Sequence, residues 1–437
     1  MKLKRREFIV GAGAFAFSPI ARAAAKPLLK AGFMTDTHIR PGADEINSRT
    51  RKAFGLFKDH GVDVIGHCGD LADMHYPESY AFYRSCIETT YPDIASRPKL
   101  LYVYANHDVI DPEKVKAGVK GYARQMPYEE GFRDMRRRLG IEHGLFHREI
   151  VNGIPFLVFP QSFELDGGIE HVKRMLAETA REFPSRPIVV LGHNAPAKTV
   201  FNSENWGYWN YRQSLDAYPQ VISISGHTHN SLRNELSIWQ GSFTAVDAGC
   251  LEWWYGGLGF PEEVKSAYGV LVAEFYEDKV VIRRFDVRDG SEYRPNDPWV
   301  VKCPYQPDSA CYDISSRRKA EKKPSFPAGA ELVFKLYGKN LTLSFPAAVD
   351  EDGVLDYSIK SEVKVSGGDW EVLDVDGGVF SQFYIPRRDR TVMRVAVIPV
   401  TRFQKELDYR FSVRPVGFFG TEGEALRGTF RLAMDAY

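Results

Sequence analysis

The sequence has no apolar run of the ~18–20 residues that crosses a bilayer as a helix. It has only five cysteines in 437 residues, too few to staple a chain of this length as a disulfide scaffold. It has no formal net charge, with 57 Lys+Arg against 57 Asp+Glu, which argues against a protein that coats nucleic acid through bulk attraction. It has no internal repeat and no low-complexity tract, which excludes a solenoid. What is present is 44% hydrophobic and 26% charged residues, the balance of globular domains rather than of a disordered chain. The length suggests two to three domains.

The first 25 residues read as an address. Lys2, Lys4, Arg5 and Arg6 precede a weakly apolar stretch from Phe8 to Ile20, and Ala21-Arg22-Ala23 follows as a small-residue cleavage site. Basic head, short apolar middle and small residues make a signal peptide. Arg5-Arg6 followed by Glu7-Phe8-Ile9 resembles a twin-arginine signal. The resemblance implies a bacterial protein exported folded, to the periplasm or beyond, with no stable membrane anchor after cleavage. Removal of residues 1–23 leaves 52 basic and 56 acidic residues, a net charge of −4.

Residues 26–290 alternate short apolar runs with helical stretches, the pattern of a layered α/β domain. Expected strands are 29–35, 62–67, 100–105, 188–192 and 221–225, then 243–248, 268–275 and 279–286. Expected helices are 46–60, 77–90, 128–139 and 168–182, and Asn152-Gly153 marks a hairpin. Residues 291–327 hold six prolines and the charge run Arg317–Lys323, a connector. Residues 328–437 show no helical period and alternate like a β-sandwich.

Chemistry concentrates in five short motifs, most of them at the end of an expected strand. They are Asp36-Thr37-His38, Gly69-Asp70-Leu71-Ala72-Asp73, Asn106-His107-Asp108, Gly192-His193-Asn194 and Gly226-His227-Thr228-His229. In open α/β sheets the loops beyond the strand C-termini line the ligand crevice, so one mouth can collect all five. Imidazole and carboxylate suit Zn, Fe or Mn. Seven candidate ligands, Asp36, His38, Asp70, Asn106, His193, His227 and His229, serve two metal ions if one carboxylate bridges. In an extended segment, residues two apart face the same side, so both members of Asp-x-His and of His-x-His can reach one centre.

This ordered set, spread over residues 28–289, resembles the calcineurin-like metallophosphoesterase family. The resemblance implies a four-layer αββα fold with two divalent or mixed-valence metal ions between two central sheets. It places Asp36, His38, Asp70 and His229 on one metal, and Asp70, Asn106, His193 and His227 on the other, with Asp70 bridging. His107 corresponds to the family's non-ligand histidine near the scissile phosphate. One position departs from the pattern: Ala105 stands where the family has Gly before Asn-His-Asp, so its methyl could crowd the turn.

The implied reaction is hydrolysis of a phosphate ester, a phosphodiester by preference, with the two metals supplying hydroxide near neutral pH. His107 would act as proton donor or stabilise the transition state. Asp73 and Asp108 would orient ligands, although a turn role suits Asp108 equally. A phosphomonoester or phosphoprotein substrate leaves the same ligand pattern, and a non-catalytic metal-containing binding protein is the alternative outside enzymes. A small phosphate ester is the expected partner, and no nucleic-acid partner is favoured. Arg40 reads either as a phosphate contact or as a solvated loop residue. Trp206, Tyr208, Trp209 and Tyr211, with Trp253-Trp254-Tyr255, either stack a sugar or base or pack under long loops. The insert 109–144 is expected to cap the pocket. Cys68 reads as a core residue, and export would permit a Cys303–Cys311 disulfide. The C-terminal segment 409–420 resembles the late strands of a fibronectin type III-like domain, with no catalytic constellation.

Overall fold

The computed structural model describes residues 26–161, 167–252, 268–365, 368–373, 378–385, 387 and 390–433. The export segment and Trp253-Trp254-Tyr255 lie outside the described residues. The first domain carries strands β1 (Leu29–Met34), β2 (Val64–His67), β3 (Lys99–Tyr102), β4 (His147–Val151), β5 (Ile154–Val158), β6 (Ile188–Leu191) and β7 (Val221–Ser225). It continues with β8 (Ile238–Gln240), β9 (Thr244–Asp247), β10 (Gly269–Phe275), β11 (Lys279–Asp286), β12 (Glu292–Tyr293) and β13 (Trp299–Lys302). Its helices are α1 (Asp44–His60), α2 (Pro77–Thr90), α3 (Pro112–Lys116), α4 (Tyr128–Leu139), α5 (Gly168–Glu182), α6 (Ser203–Trp206) and α7 (Trp209–Leu215).

One sheet runs β12-β11-β10-β1-β2-β3 with β13 on β11, and the other β4-β5-β6-β7-β9-β8. Both faces of each sheet are covered, so the central strands β2, β5, β6 and β7 are buried along their whole length rather than alternating between buried and exposed. Leu29, Ala31 and Phe33 of β1 and Val189 and Leu191 of β6 meet in the layer between the sheets. Met34 packs outward with Phe54 and Phe57 of α1 and Tyr83 of α2. Ile188 and Val190 pack outward with Val172 and Leu176 of α5 and Tyr211 of α7. The order of layers is therefore α, β, β, α, as the resemblance implied.

Strands β1, β2 and β3 run parallel, as do β5, β6, β7 and β9. Parallel strands end on the same side, so the loops after β1, β2, β3, β6 and β7 open at one mouth. The connector is not structureless: β12 and β13 pair with β11, and helix α8 (Ile314–Ala320) follows. Cys303 and Cys311 are unbridged; Cys303 Sγ points to the Val301 carbonyl and Cys311 Sγ to that of Ser309.

The C-terminal domain adds β14 (Val333–Tyr337), β15 (Asn340–Pro346), β16 (Val354–Lys364), β17 (Trp370–Leu373), β18 (Val379–Phe380), β19 (Met393–Pro399), β20 (Asp408–Gly417) and β21 (Leu426–Arg431). They form a β14-β15-β19 sheet and a β17-β16-β20-β21 sheet with β18 on β16. Leu341, Leu343, Phe345, Tyr357, Phe411 and Val413 fill the core of this all-β unit.

Candidate metal centre

The mouth is built from loops in unusual backbone conformations. Ten non-glycine residues have positive φ among the described residues, and five of them are expected ligands: Asp36, His38, Asp70, His227 and His229. Left-handed backbone costs an ordinary residue on the order of 1 kcal/mol or more, so the surrounding structure must hold these turns. Hydrogen bonds do so. Asp36 N donates to Gly69 O at 3.0 Å and His38 N to Asp70 O at 3.1 Å, tying the loops after β1 and β2 together. Gly226 N donates to His193 O at 2.9 Å, tying the loops after β6 and β7.

The ring and carboxylate atoms converge in two groups. In the first, His229 Nε2 lies 3.1 Å from Asp36 Oδ1 and 3.1 Å from His38 Nε2, which in turn lies 3.8 Å from both Asp36 Oδ1 and Asp70 Oδ2. In the second, His193 Nε2 lies 3.1 Å from Asp70 Oδ2 and 3.1 Å from His227 Nδ1. Within each of the triads Asp36/His38/His229 and Asp70/His193/His227, the donor atoms lie within 4.8 Å of one another. A further triad, His38/Asp70/His107, spans the space between them. The carboxylate of Asp70 faces both groups, as a bridging ligand must.

Several observations show that these residues fit metal ions. Asp36 Oδ1 and Asn106 Oδ1 are buried and make no hydrogen bond, although a buried acceptor is costly to leave unpaired. Three imidazole pairs or imidazole–carboxylate pairs at about 3 Å point lone pairs at common centres rather than at protein donors. The histidine tautomers are set from behind. His193 Nδ1 donates to Cys68 O at 2.8 Å, which leaves Nε2 as the nitrogen that faces Asp70 and His227.

The electrostatics agree. Burial opposes ionisation of Asp36, yet His229, His38 and His193 hold its carboxyl well below the usual range. Burial likewise opposes ionisation of Asp70, and His193 and His107 hold it low. The same carboxylates reverse the effect of burial on His193 and push it up to about 9, and they raise His38. Two buried anions thus draw positive charge into the site. Burial and the neighbouring His193 bring His227 down to about 3, so its ring is neutral and able to ligate.

Behind the ligands stand positioning residues. Thr35 Oγ1 and His227 N both donate to Asp36 Oδ2, at 2.7 and 3.0 Å. His107 N donates to Asp70 Oδ1 at 2.9 Å. Asp108 accepts from Ala72 N and Ala105 N at 2.9 and 3.2 Å, joining the second and third motifs; burial and the charge of Asp70 push it up to about 7. The turn role of Asp108 and its orienting role are thus one and the same. Ala105 lacks the positive φ that would demand glycine, which explains why a methyl is tolerated there. Gly69, by contrast, cannot change. Its φ is +103°, and a Cβ would meet His193 Nδ1 at 2.5 Å and the Ala105 Cβ at 2.8 Å.

Arg40 is anchored beside the site. Its guanidinium pairs with Glu252 and lies 3.4 Å from Asp73 Oδ2. Asp73 Oδ1 is 3.4 Å from His38 Nδ1, so Arg40 supports a ligand from behind. Asp73 also accepts from His107 Nδ1 through its backbone oxygen at 3.0 Å. Glu252 and Asp247 were missed from the sequence. Asp247 bonds to Thr228 Oγ1 and accepts from Gly249 N, and burial raises it to about 8. Neither residue sits in a motif with the ligand it supports. The weak signal for Asp247 was a lone carboxylate at the end of an apolar strand. Of the aromatics, Trp206 reaches the site, with its ring 5.2 Å from His227, whereas the Tyr211 ring is buried in the core under α7.

A pair of carboxylate–histidine sets at the shared mouth of two facing sheets defines a dinuclear-type metal domain with phosphoesterase architecture. Residues 29–231 match the family model for calcineurin-like phosphoesterase. No curated protein matches the chain. Among solved structures, the purple acid phosphatase PPD1 from yellow lupin (Lupinus luteus) seeds is 12% identical over 63% of this chain and 53% of its own, with a TM-score of 0.44. The chain thus spans about half the length of that protein. A dimetal phosphatase from Danio rerio is 11% identical over 63% of this chain and 99% of its own, with a TM-score of 0.39. The third fibronectin III domain of human KIAA0343 protein is 14% identical over 26% of this chain and 86% of its own, with a TM-score of 0.19.

Proposed function

We propose that the protein is an exported, metal-dependent phosphoesterase that hydrolyses a small phosphate ester, a phosphodiester by preference. The observation that carries this reading is the pair of buried donor triads facing the shared Asp70, with Asp36 Oδ1 and Asn106 Oδ1 left without hydrogen bonds. Asp36, His38, Asp70 and His229 would hold one divalent ion, and Asp70, Asn106, His193 and His227 the other. Mn, Fe and Zn all suit such a donor set. When bound, two such ions supply Lewis acidity for a water nucleophile and for the phosphoryl oxygens.

The protein's own residues do the rest. Asp36 and Asp70 keep the site anionic. His193 and His227 are held by the Cys68 carbonyl and the packed ring of Trp206. His107 keeps one proton on Nδ1 by donating to the Asp73 carbonyl. Burial lowers its basicity, but the charge of Asp70 and the bonds to Asp73 outweigh this and raise it. With Nδ1 so engaged, Nε2 is the ring nitrogen left to pass a proton to the departing alcohol oxygen.

Two experiments test the reading. Mature protein loaded with Mn²⁺ should release phosphate or phenolate from aryl phosphate mono- or diesters, and a chelator should abolish this. Asp70→Ala should bind less metal and lose about 10²–10³-fold or more in kcat; an Asp70→Ala variant that stays active refutes the assignment. Export rests on the amino-terminal residues. Arg5→Lys combined with Arg6→Lys should leave the protein in the cytoplasm, and normal export of that variant would refute the twin-arginine route.

A further inference from the structure

Asn106 and His227 form one end of a cleft of about 870 Å³. Its other walls include Tyr122 and Arg124 from the insert, Gln161 after β5, Asn194 after β6, and Trp206 and Tyr208. The expected cap therefore supplies a wall of the cleft beside the metal ligands.

Three features of this cleft are unspent within the protein. The first is a pair of acceptors. Asn194 is 2% exposed, and its Nδ2 donates to Trp206 O at 2.9 Å, which identifies the other atom as oxygen. That Oδ1 is buried without a hydrogen bond, and so is Gln161 Oε1. Native structures rarely leave such atoms unpaired, and each demands an explanation. The second is Arg124. It is half-buried, lines the cleft, and has no side-chain hydrogen bond or ion pair among the described residues. Such a guanidinium suits an anion in two-pronged geometry. The third is aromatic. Trp206 is 53% exposed and Tyr122 89% exposed, large rings that offer planar apolar faces.

We propose that this cleft receives the leaving alcohol of the substrate, and that the alcohol is a nucleoside carrying a second phosphate. Its base lies against Trp206 or Tyr122, its hydroxyls or amino groups donate to Asn194 Oδ1 and Gln161 Oε1, and its second phosphate meets Arg124. This rests on the phosphoesterase reading above and deepens it. The reaction stays a simple hydrolysis: water oxygen bonds to phosphorus, the phosphorus–alcohol bond breaks, and the alcohol oxygen takes a proton. Nothing is oxidised or reduced.

The test compares three probes on the Mn²⁺-loaded mature protein: adenosine 3′,5′-bisphosphate, adenosine 5′-monophosphate and 4-nitrophenyl phosphate. The wild type should favour the bisphosphate over the monophosphate by at least about tenfold in kcat/KM, an increment of the size one charge-assisted contact supplies. In Arg124→Ala that ratio should fall towards one, and Arg124→Lys should retain part of it. In Gln161→Ala the preference for adenosine monophosphate over the aryl phosphate should shrink. A bisphosphate preference that is absent in the wild type, or that persists unchanged in Arg124→Ala, overturns this proposal. Aryl phosphate turnover without nucleotide preference refutes only the pocket. No release from any of the three probes, nor from bis(4-nitrophenyl) phosphate as a diester, refutes the phosphoesterase reading itself.

Discussion

His143 shows how a single residue makes the fold sensitive to acid. Its Nδ1 donates to the Gly144 carbonyl at 2.8 Å, so its Nε2 carries the lone pair that accepts from Tyr102 N at 3.2 Å. A second proton would convert that acceptor into a donor facing a donor. Burial comes first among the causes that bring this imidazole down to about 4, with the neighbouring His147, Arg136 and Lys99 adding to it. An ordinary histidine in the unfolded chain binds its proton near pH 6.5. Between that value and about 4 the unfolded state therefore takes up the proton first. The contribution is fully present above pH 6.5 and is lost as the pH falls to about 4. A shift of this size corresponds to about 3 kcal/mol at most. Urea unfolding at pH 7 and pH 4.5 should show the wild type losing more stability than His143→Gln on acidification. Equal losses in the two proteins would contradict the argument. The residues that converge at the mouth were readable in sequence because their chemistry is local, as in Asp36-Thr37-His38. The residues that support them were not. Glu252 meets Arg40 across 212 positions, and no pattern in either neighbourhood records the pair.

At the scale of elements, legibility followed periodicity and burial on two faces. Strand β6 reads Ile-Val-Val-Leu, is buried throughout, and was visible as an apolar run with an end correct to one residue. Helices α2, α4 and α5 were visible to the residue, because their apolar positions repeat at helical spacing between clear stops. The short strand β13 was not. It lies between prolines, exposes every second residue and exists only because β11 offers it an edge. The eleven-residue β16 was also missed, although it is central to its sheet. Its register shifts between Val354 and Asp356, and the buried Ser361 interrupts the apolar set Tyr357, Ile359 and Val363 on which the alternation depends. What neither strand carries locally is the identity of its partner, and partner choice is a property of the assembled sheet.

At the scale of the molecule, the two domains are joined through one buried carboxylate. Glu235 sits before β8 in the catalytic domain. Its Oε1 lies 3.0 Å from Arg284 Nη1 of β11 and 3.3 Å from Arg294 Nη1, and its Oε2 lies 3.0 Å from Arg317 Nη2 of α8. Arg317 also donates to the Glu235 carbonyl at 2.6 Å and stacks 4.2 Å over the Phe419 ring of the C-terminal domain. Next to it, Leu236 packs on Phe383, Tyr384 and Phe418 of the same domain. Glu321, just past α8, accepts from Phe419 N and Thr421 N, both at 3.1 Å. Three guanidiniums around one carboxylate are tolerable only while that carboxylate is charged. Burial opposes its ionisation, but Arg284, Arg294 and Arg317 outweigh this and hold it low. Arg284 is 1% exposed and cannot move to water if its partner is removed. Glu235→Ala should therefore destabilise the protein by about 3–5 kcal/mol, the cost of leaving a buried charge unpaired. It should also free Arg317 from its place over Phe419, so that limited proteolysis cuts residues 303–327 faster than in the wild type. Arg317→Ala removes one cation from a site with three and should cost less than the loss of Glu235. Urea unfolding of the two variants beside the wild type decides the matter: a loss below about 1 kcal/mol for Glu235→Ala, or a larger loss for Arg317→Ala, would show that the carboxylate is not what holds the domains together.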